Sequence, residues 1–336
     1  MADKKQTAVF FVDAGQGVGM GHFVRCRALA RYLSKESGAE IVFVMRGGGE
    51  CLLRLEKDGF EYHARNGGGA GGILGRYSPS IVVVDLAEGA EKIMPSLRDT
   101  GLRTVIIDDL GGKEFGCSIL VNATAVEDFR RYPEASADKM LLGPKYMIMR
   151  EEFAGVGMGA RWASSKTGSI FISLGGEDPH GVIYGVIHVL EKMRYSGKVV
   201  IALGAAFHDV RKLQEMTRGL ECDYEILHNV DSLALVMRHS DIAIVCGGMT
   251  LYEAACAGTP ALVVAMNEHQ LREAEEFARR GAVFSLGMWN VADENAVFKG
   301  LKHIMEKRAL RSKMSRVGPK IVDGMGLFRV GEEILR

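Results

Sequence analysis

His22 closes a glycine-spaced run, GQGVGMGH (15–22), that follows one apolar stretch and opens a helical one. A histidine at the mouth of a helix feels the positive end of the backbone dipole, which disfavours its charged form. A neutral imidazole in that position is a candidate base for water or a hydroxyl. Capping or local packing is the structural use of the same residue, but Gly19 and Gly21 just before it tip the reading towards chemistry. Arg25 lies one helical turn further on.

Two more glycine runs follow apolar stretches directly: GGEDPHG (175–181) and GGMT (247–250). Small residues at such a turn let backbone N–H groups approach an anion, and the next helix adds its positive end. Tight turns needing positive φ would use glycine too. Three runs at the same end of parallel strands favour a ligand, of which a diphosphate is the usual one. Gly175, Gly176, Gly247 and Gly248 are therefore candidate phosphate-binding positions. Thr250 and Glu253 have the spacing of a capping box, T-x-x-E. The functional alternative puts Thr250 on a phosphate and Glu253 on ribose hydroxyls, and local sequence leaves both open. Asp178-Pro179 reads as N-cap plus first-turn proline, with no catalytic role. Asp108 and Asp109 follow a strand and look like loop-shaping acids.

Other chemistries fail on spacing. The first glycine run is off register for GxGxxG, and Met45-Arg46 stands where an acidic ribose ligand is expected. No GxxxxGK[ST] and no HExxH occurs, so neither a P-loop nor a metal site is expected. Nothing calls for a cofactor. Lys+Arg and Asp+Glu both number 42, so no net field draws the chain to nucleic acid. The longest apolar runs are strand-length, which predicts no membrane span. Six scattered cysteines without a CxxC fit a reduced, cytoplasmic protein.

The elements that position these residues are legible as continuous apolar runs. AVFFVD (8–13), EIVFVM (40–45), SIVVVD (80–85), TVIID (104–108), SIFISL (169–174), KVVIAL (198–203), DIAIVC (241–246) and PALVVA (260–265) suit strands covered on both faces. Helical stretches at 22–36, 88–99, 179–194, 208–217, 249–257 and 268–280 lie between them. The alternation predicts α/β architecture with parallel sheets. It breaks at GVGMGARWASSK (155–166), which is expected to join a first domain (1–154) to a second (168–320). Residues 321–336 are expected to form a helix that packs back on the first domain.

Five motifs occur in order: Gly19-x-Gly21-His22-x-x-Arg25, Ile107-Asp108-Asp109-Leu110, Leu142-Gly143-Pro144-Lys145-Tyr146, Gly175-Gly176-x-Asp178-Pro179 and Gly247-Gly248-x-Thr250-x-x-Glu253. Together they resemble the nucleotide-sugar hydrolases of pseudaminic acid biosynthesis and the related spore-coat polysaccharide proteins, within the GT-B superfamily. The resemblance spans about residues 8–290 and implies two Rossmann-like α/β/α domains facing a central cleft. It implies that a UDP-sugar is the small-molecule partner, with UDP on the C-terminal domain. His22 would serve the attacking water, Arg25 would support its loop, and Gly19, Gly21, Asp108, His269 and Gln270 would lie on the substrate side. Two positions depart from the family pattern: Ala87 stands at a family tyrosine and His269 at a family asparagine. The leading expectation is a UDP-sugar hydrolase. A glycosyltransferase on the same frame and a non-catalytic sugar-nucleotide-binding protein are the alternatives.

Overall fold

The computed structural model describes residues 6–336 apart from 16–17, 66–69, 99, 160–163, 165, 177, 179, 205, 229, 231 and 290–292. The chain divides into two compact units, Met1–Glu151 with Met325–Arg336, and Glu152–Gly324. The division precedes the aperiodic run. Phe153 is fully buried in the second unit, and buried Arg311 donates to the Ser164 carbonyl at 2.7 Å.

The first unit is built on a parallel sheet of β1 (Thr7–Asp13), β2 (Glu40–Arg46), β3 (Glu61–Ala64), β4 (Ile81–Asp85), β5 (Arg103–Ile107), β6 (Cys117–Asn122) and β7 (Ala137–Leu142). Its order is β3-β2-β1-β4-β5-β6-β7. The second unit carries β8 (Ser169–Ser173), β9 (Lys198–Leu203), β10 (Asp223–His228), β11 (Ile242–Cys246), β12 (Ala261–Ala265) and β13 (Val283–Met288), ordered β10-β9-β8-β11-β12-β13. Both are doubly wound sheets, and both reverse direction between their first and fourth strands: at β1/β4 and at β8/β11. Connections leave to opposite sides at such a point, which opens a crevice at the carboxyl ends of the two strands.

The central strands are buried on both faces. β1 packs Phe10 into one core layer and Val9 and Phe11 into the other. Helix Gly21–Ser37 covers the first of these layers with Phe23, Cys26, Leu29, Ala30 and Leu33. Helix Gly326–Leu335 joins it through Leu327, Val330 and Ile334, with Phe328 edge-on to Tyr32. In the second unit Ile170, Ile172, Ile242, Ile244, Leu262 and Val264 form one core with Val186, Leu190, Leu301 and Ile304.

Candidate functional site

The first site forms where β1 and β4 part. Gly15 and Gly19, both at positive φ, exchange backbone hydrogen bonds of 2.8 and 3.2 Å and close the loop after β1. The chain then enters helix Gly21–Ser37 with His22 in its first turn. Nothing lies within 4 Å of a Cβ placed on Gly19 or Gly21, so their surroundings are open. Asp85, the last residue of β4, is fully buried, and its Oδ1 lies 2.6 Å from His22 Nδ1. Since an ionised carboxylate only accepts, that distance places the proton on Nδ1 and leaves Nε2 as the basic nitrogen.

Arg25 completes the group. It donates to both Asp85 oxygens at 2.7 Å and to Asp109 at 2.9 Å, with only 6% of its surface exposed. Cys26 Sγ–H also points at Asp85, at 3.3 Å. Burial works against the charge on Asp85, but Arg25 and then His22 hold the carboxyl well below the usual carboxylate range. For His22, burial disfavours the imidazolium, and Asp85 outweighs it, so the pKa is raised. This corrects the expectation of an imidazole kept neutral by its helix end. The helix dipole does act at that position, but a full charge at 2.6 Å is the stronger influence.

Asp108 is engaged by its own loop. Its Oδ2 accepts from the N–H groups of Leu110 (3.3 Å) and Gly111 (2.7 Å) and from the Tyr132 hydroxyl. The substrate-side role that the resemblance implied for Asp108 therefore has one oxygen already committed to the fold, while Asp109 is the acid that reaches the His22–Arg25 group. Sequence reasoning passed over Asp85 as a functional residue. The signal was present: it ends a strand adjacent to the one that His22 follows.

The second site forms where β8 and β11 part. Gly175 takes φ +86° after β8, and a Cβ there would lie 3.3 Å from Cys246 Sγ, at the end of β11. Helix Met249–Ala257 begins directly after Gly248, its N-cap, with no side-chain cap. Thr250 is thus already inside the helix and Glu253 sits on its second turn, so the capping-box reading of this pair does not hold. The Thr250 hydroxyl lies 3.4 Å from Cys246 Sγ, and Glu253 is 3% exposed.

Gly247 has a packing reason to be glycine, because a Cβ would lie 2.7 Å from both Gln270 Cβ and the Gln270 carbonyl oxygen. Gly248 meets only Gln270 Nε2, at 3.7 Å, and so presents open backbone. Gln270 Oε1 accepts from the Met266 N–H at 3.0 Å, which holds the turn after β12 together, and the same side chain lies against Gly247 and Gly248 in the turn after β11. His269 lies beside it in the first turn of helix Glu268–Arg280, which Asn267 caps through its side chain. Asp178 caps differently from the expectation. At φ +47° it accepts from the N–H groups of Val182 and Ile183, both at 2.9 Å, and the residue at the N-cap is Gly181. Pro179 lies outside the described residues.

Among the described residues, no group of three or more His, Cys, Asp or Glu side chains could hold a metal ion, and no helix is long and apolar enough to cross a membrane. All six cysteines are free.

Two Rossmann-like parallel-sheet domains of this kind match GT-B glycosyltransferase structures. The structure of MurG from Acinetobacter baumannii superposes with a TM-score of 0.72 at 15% identity, over 98% of this chain and 99% of that one. The spinosyn rhamnosyltransferase SpnG, complexed with thymidine diphosphate, matches with a TM-score of 0.64 at 14% identity, over 98% and 100%. The description "Glycosyltransferase family 28 C-terminal domain" fits residues 178–323, within the second unit. By sequence the chain is similar to the spore coat polysaccharide biosynthesis protein SpsG of Bacillus subtilis (strain 168), 26% identical over 95% of each chain.

Proposed function

We propose that this protein is a GT-B glycosyltransferase-like enzyme that takes the sugar from a UDP-sugar during the assembly of a polysaccharide, with His22 as the base. The observation that carries the reading is the His22–Asp85 pair at the β1/β4 crevice. Asp85 fixes the Nδ1–H tautomer, so Nε2 takes the proton from an acceptor hydroxyl. The oxygen then attacks the anomeric carbon, and the bond from that carbon to the diphosphate oxygen breaks with its electron pair leaving on UDP. The glycine turns at Gly175–Gly176 and Gly247–Gly248, with the N-terminus of helix Met249–Ala257, meet the charge that develops on the diphosphate. The C-terminal family match and the polysaccharide role in the name of the Bacillus relative support sugar transfer. The thymidine diphosphate in the SpnG structure supports a nucleoside diphosphate as the leaving group, and the choice of uridine rests on the motif resemblance.

Hydrolysis is the second reading, with water in place of the acceptor. Ala87 argues against it: this exposed residue, two positions after Asp85, lacks the tyrosine of the hydrolases that the motifs resemble. UDP release from UDP-sugars, measured with and without candidate sugar acceptors, separates the cases. Acceptor-dependent release supports transfer, and release in buffer alone supports hydrolysis. Tight UDP binding with no release under either condition would leave a binding protein and refute the enzymatic reading.

A further inference from the structure

A second polar cluster lies on the carboxyl edge of the first sheet and takes no part in the chemistry above. Asp13 ends β1 and is 1% exposed. Arg46, in register with it at the end of β2, spans both its oxygens at 3.0 and 3.1 Å. Arg65, just past β3, adds its Nη2 to the same Asp13 Oδ1 at 2.5 Å. One bidentate arginine already satisfies a buried carboxylate. The second guanidinium leaves the trio with one net positive charge, and it leaves Arg65 Nε buried with no hydrogen-bond partner among the described residues. A buried donor without a partner carries an uncompensated desolvation cost, so the pairing with Asp13 does not account for the whole of the Arg65 side chain. Glu88, the next carboxylate acting on Arg46, is exposed and does not close the pair off.

The surroundings suit an anion. Gly47, Gly48 and Gly49 follow Arg46 and open helix Gly49–Asp58, whose N-cap Gly48 supplies no side-chain cap. The acid of its first turn, Glu50, is held by Arg54 at 3.1 Å. Neighbouring strands are about 4.8 Å apart, so Arg46 on β2 stands roughly 10 Å along the sheet from Asp85 on β4. An acceptor of sugar size covers that span.

We infer that Arg46 and Arg65 form an oxyanion subsite that binds a phosphate or carboxylate group on the acceptor. The identity of the ligand as an acceptor rests on the transfer reading above, whereas the binding itself does not. Arg46 Nε and Nη2 and Arg65 Nη2 are spent on Asp13, so the remaining donors of the two guanidiniums are the ones that meet the oxygens of either group.

The test uses the full-length protein, saturated with UDP and labelled with 15N at arginine Nε. Inorganic pyrophosphate and malonate are titrated separately, and the Arg65 Nε–H signal is assigned with Arg65→Lys. A saturable shift of that signal is expected, with about tenfold weaker affinity in Arg46→Gln, the worth of one charge-assisted hydrogen bond. A response to pyrophosphate alone assigns a phosphate, and a response to malonate alone assigns a carboxylate. An Arg65 signal unmoved by both anions overturns the subsite, as does a shift that Arg46→Gln leaves unchanged. Arg46 is 60% exposed on its side chain, and Arg65 still covers Asp13 in that variant, so the fold is retained. Because no transfer is measured, an enzyme that fails to transfer sugar leaves this result standing.

Discussion

His22 and Asp85 are 63 residues apart in sequence and 2.6 Å apart in space, because the first sheet reverses its winding between β1, whose loop leads into the helix of His22, and β4, which ends in Asp85. The same sheet geometry buries Asp85 completely and gives it Arg25 as a second partner. The pair therefore sets both the tautomer and the charge of the imidazole.

Replacing Asp85 by Asn removes the charge that raises the His22 pKa, so the histidine should titrate at lower pH. Tracking the His22 ring proton by NMR checks this directly. A titration unchanged from the parent would show that Asp85 does not govern the histidine. Nucleotide-sugar turnover should rise with pH through the raised His22 value in the parent, since only the neutral form accepts a proton.

Stability should respond in the same sense. A pKa raised on folding contributes stability that is complete below the unfolded value near 6.5 and is lost as pH rises through the folded value. The stability difference between the parent and His22→Gln, measured by denaturant unfolding, should therefore shrink from about pH 6.5 upwards. A difference that is flat with pH would argue against the ion pair.

Much of this was legible in sequence because the buried central strands are unbroken apolar runs: Ile81–Asp85 and Ile242–Cys246 bury every residue. The outer strands were not. Glu61–Ala64 and Asp223–His228 are exposed along much of their length and carry no apolar run to read. Charged partners separated by whole βαβ units were equally hidden, which is why the motif around His22 showed the histidine and the arginine but not the carboxylate joining them. The spacing of Thr250 and Glu253 left a capping box and a ligand role both open in sequence, and the structure removes the first because Gly248 is already the N-cap.

The two glycines of the second site should separate packing from ligand approach. Gly247→Ala forces a Cβ to 2.7 Å from Gln270 and should cost about 1–3 kcal/mol of stability. Gly248→Ala has room and should melt close to the parent temperature. If a diphosphate lies against the Gly248 backbone, the added methyl should still weaken UDP binding in calorimetry. Equal UDP affinity in Gly248→Ala and parent would remove that turn from the nucleotide site.

Glu253 is now testable without the confusion of a helix cap. Glu253→Gln keeps the shape of a buried side chain and exchanges a charged acceptor for a neutral one. If the carboxylate holds ribose hydroxyls, UDP affinity should fall by about 1.5–3 kcal/mol. Deoxyuridine diphosphate, lacking one hydroxyl, should bind parent and variant with a smaller difference. Unchanged UDP affinity with a lowered melting temperature would make Glu253 a structural acid.

His22→Ala decides whether the first site is catalytic. The substitution leaves Asp85 held by two hydrogen bonds from Arg25, so the group loses its base while the buried carboxylate keeps a charged partner. The glycine turns of the second unit are untouched, and UDP affinity should stay at the parent value. Turnover should fall on the order of 10²–10⁴, the range of general base catalysis. His22→Asn separates two ways of losing that factor. Its side chain can place an acceptor hydroxyl without taking the proton, so partial rescue would assign positioning and no rescue would assign proton transfer. Turnover of His22→Ala within a few-fold of the parent, with UDP affinity unchanged, would end the claim that this histidine is the base.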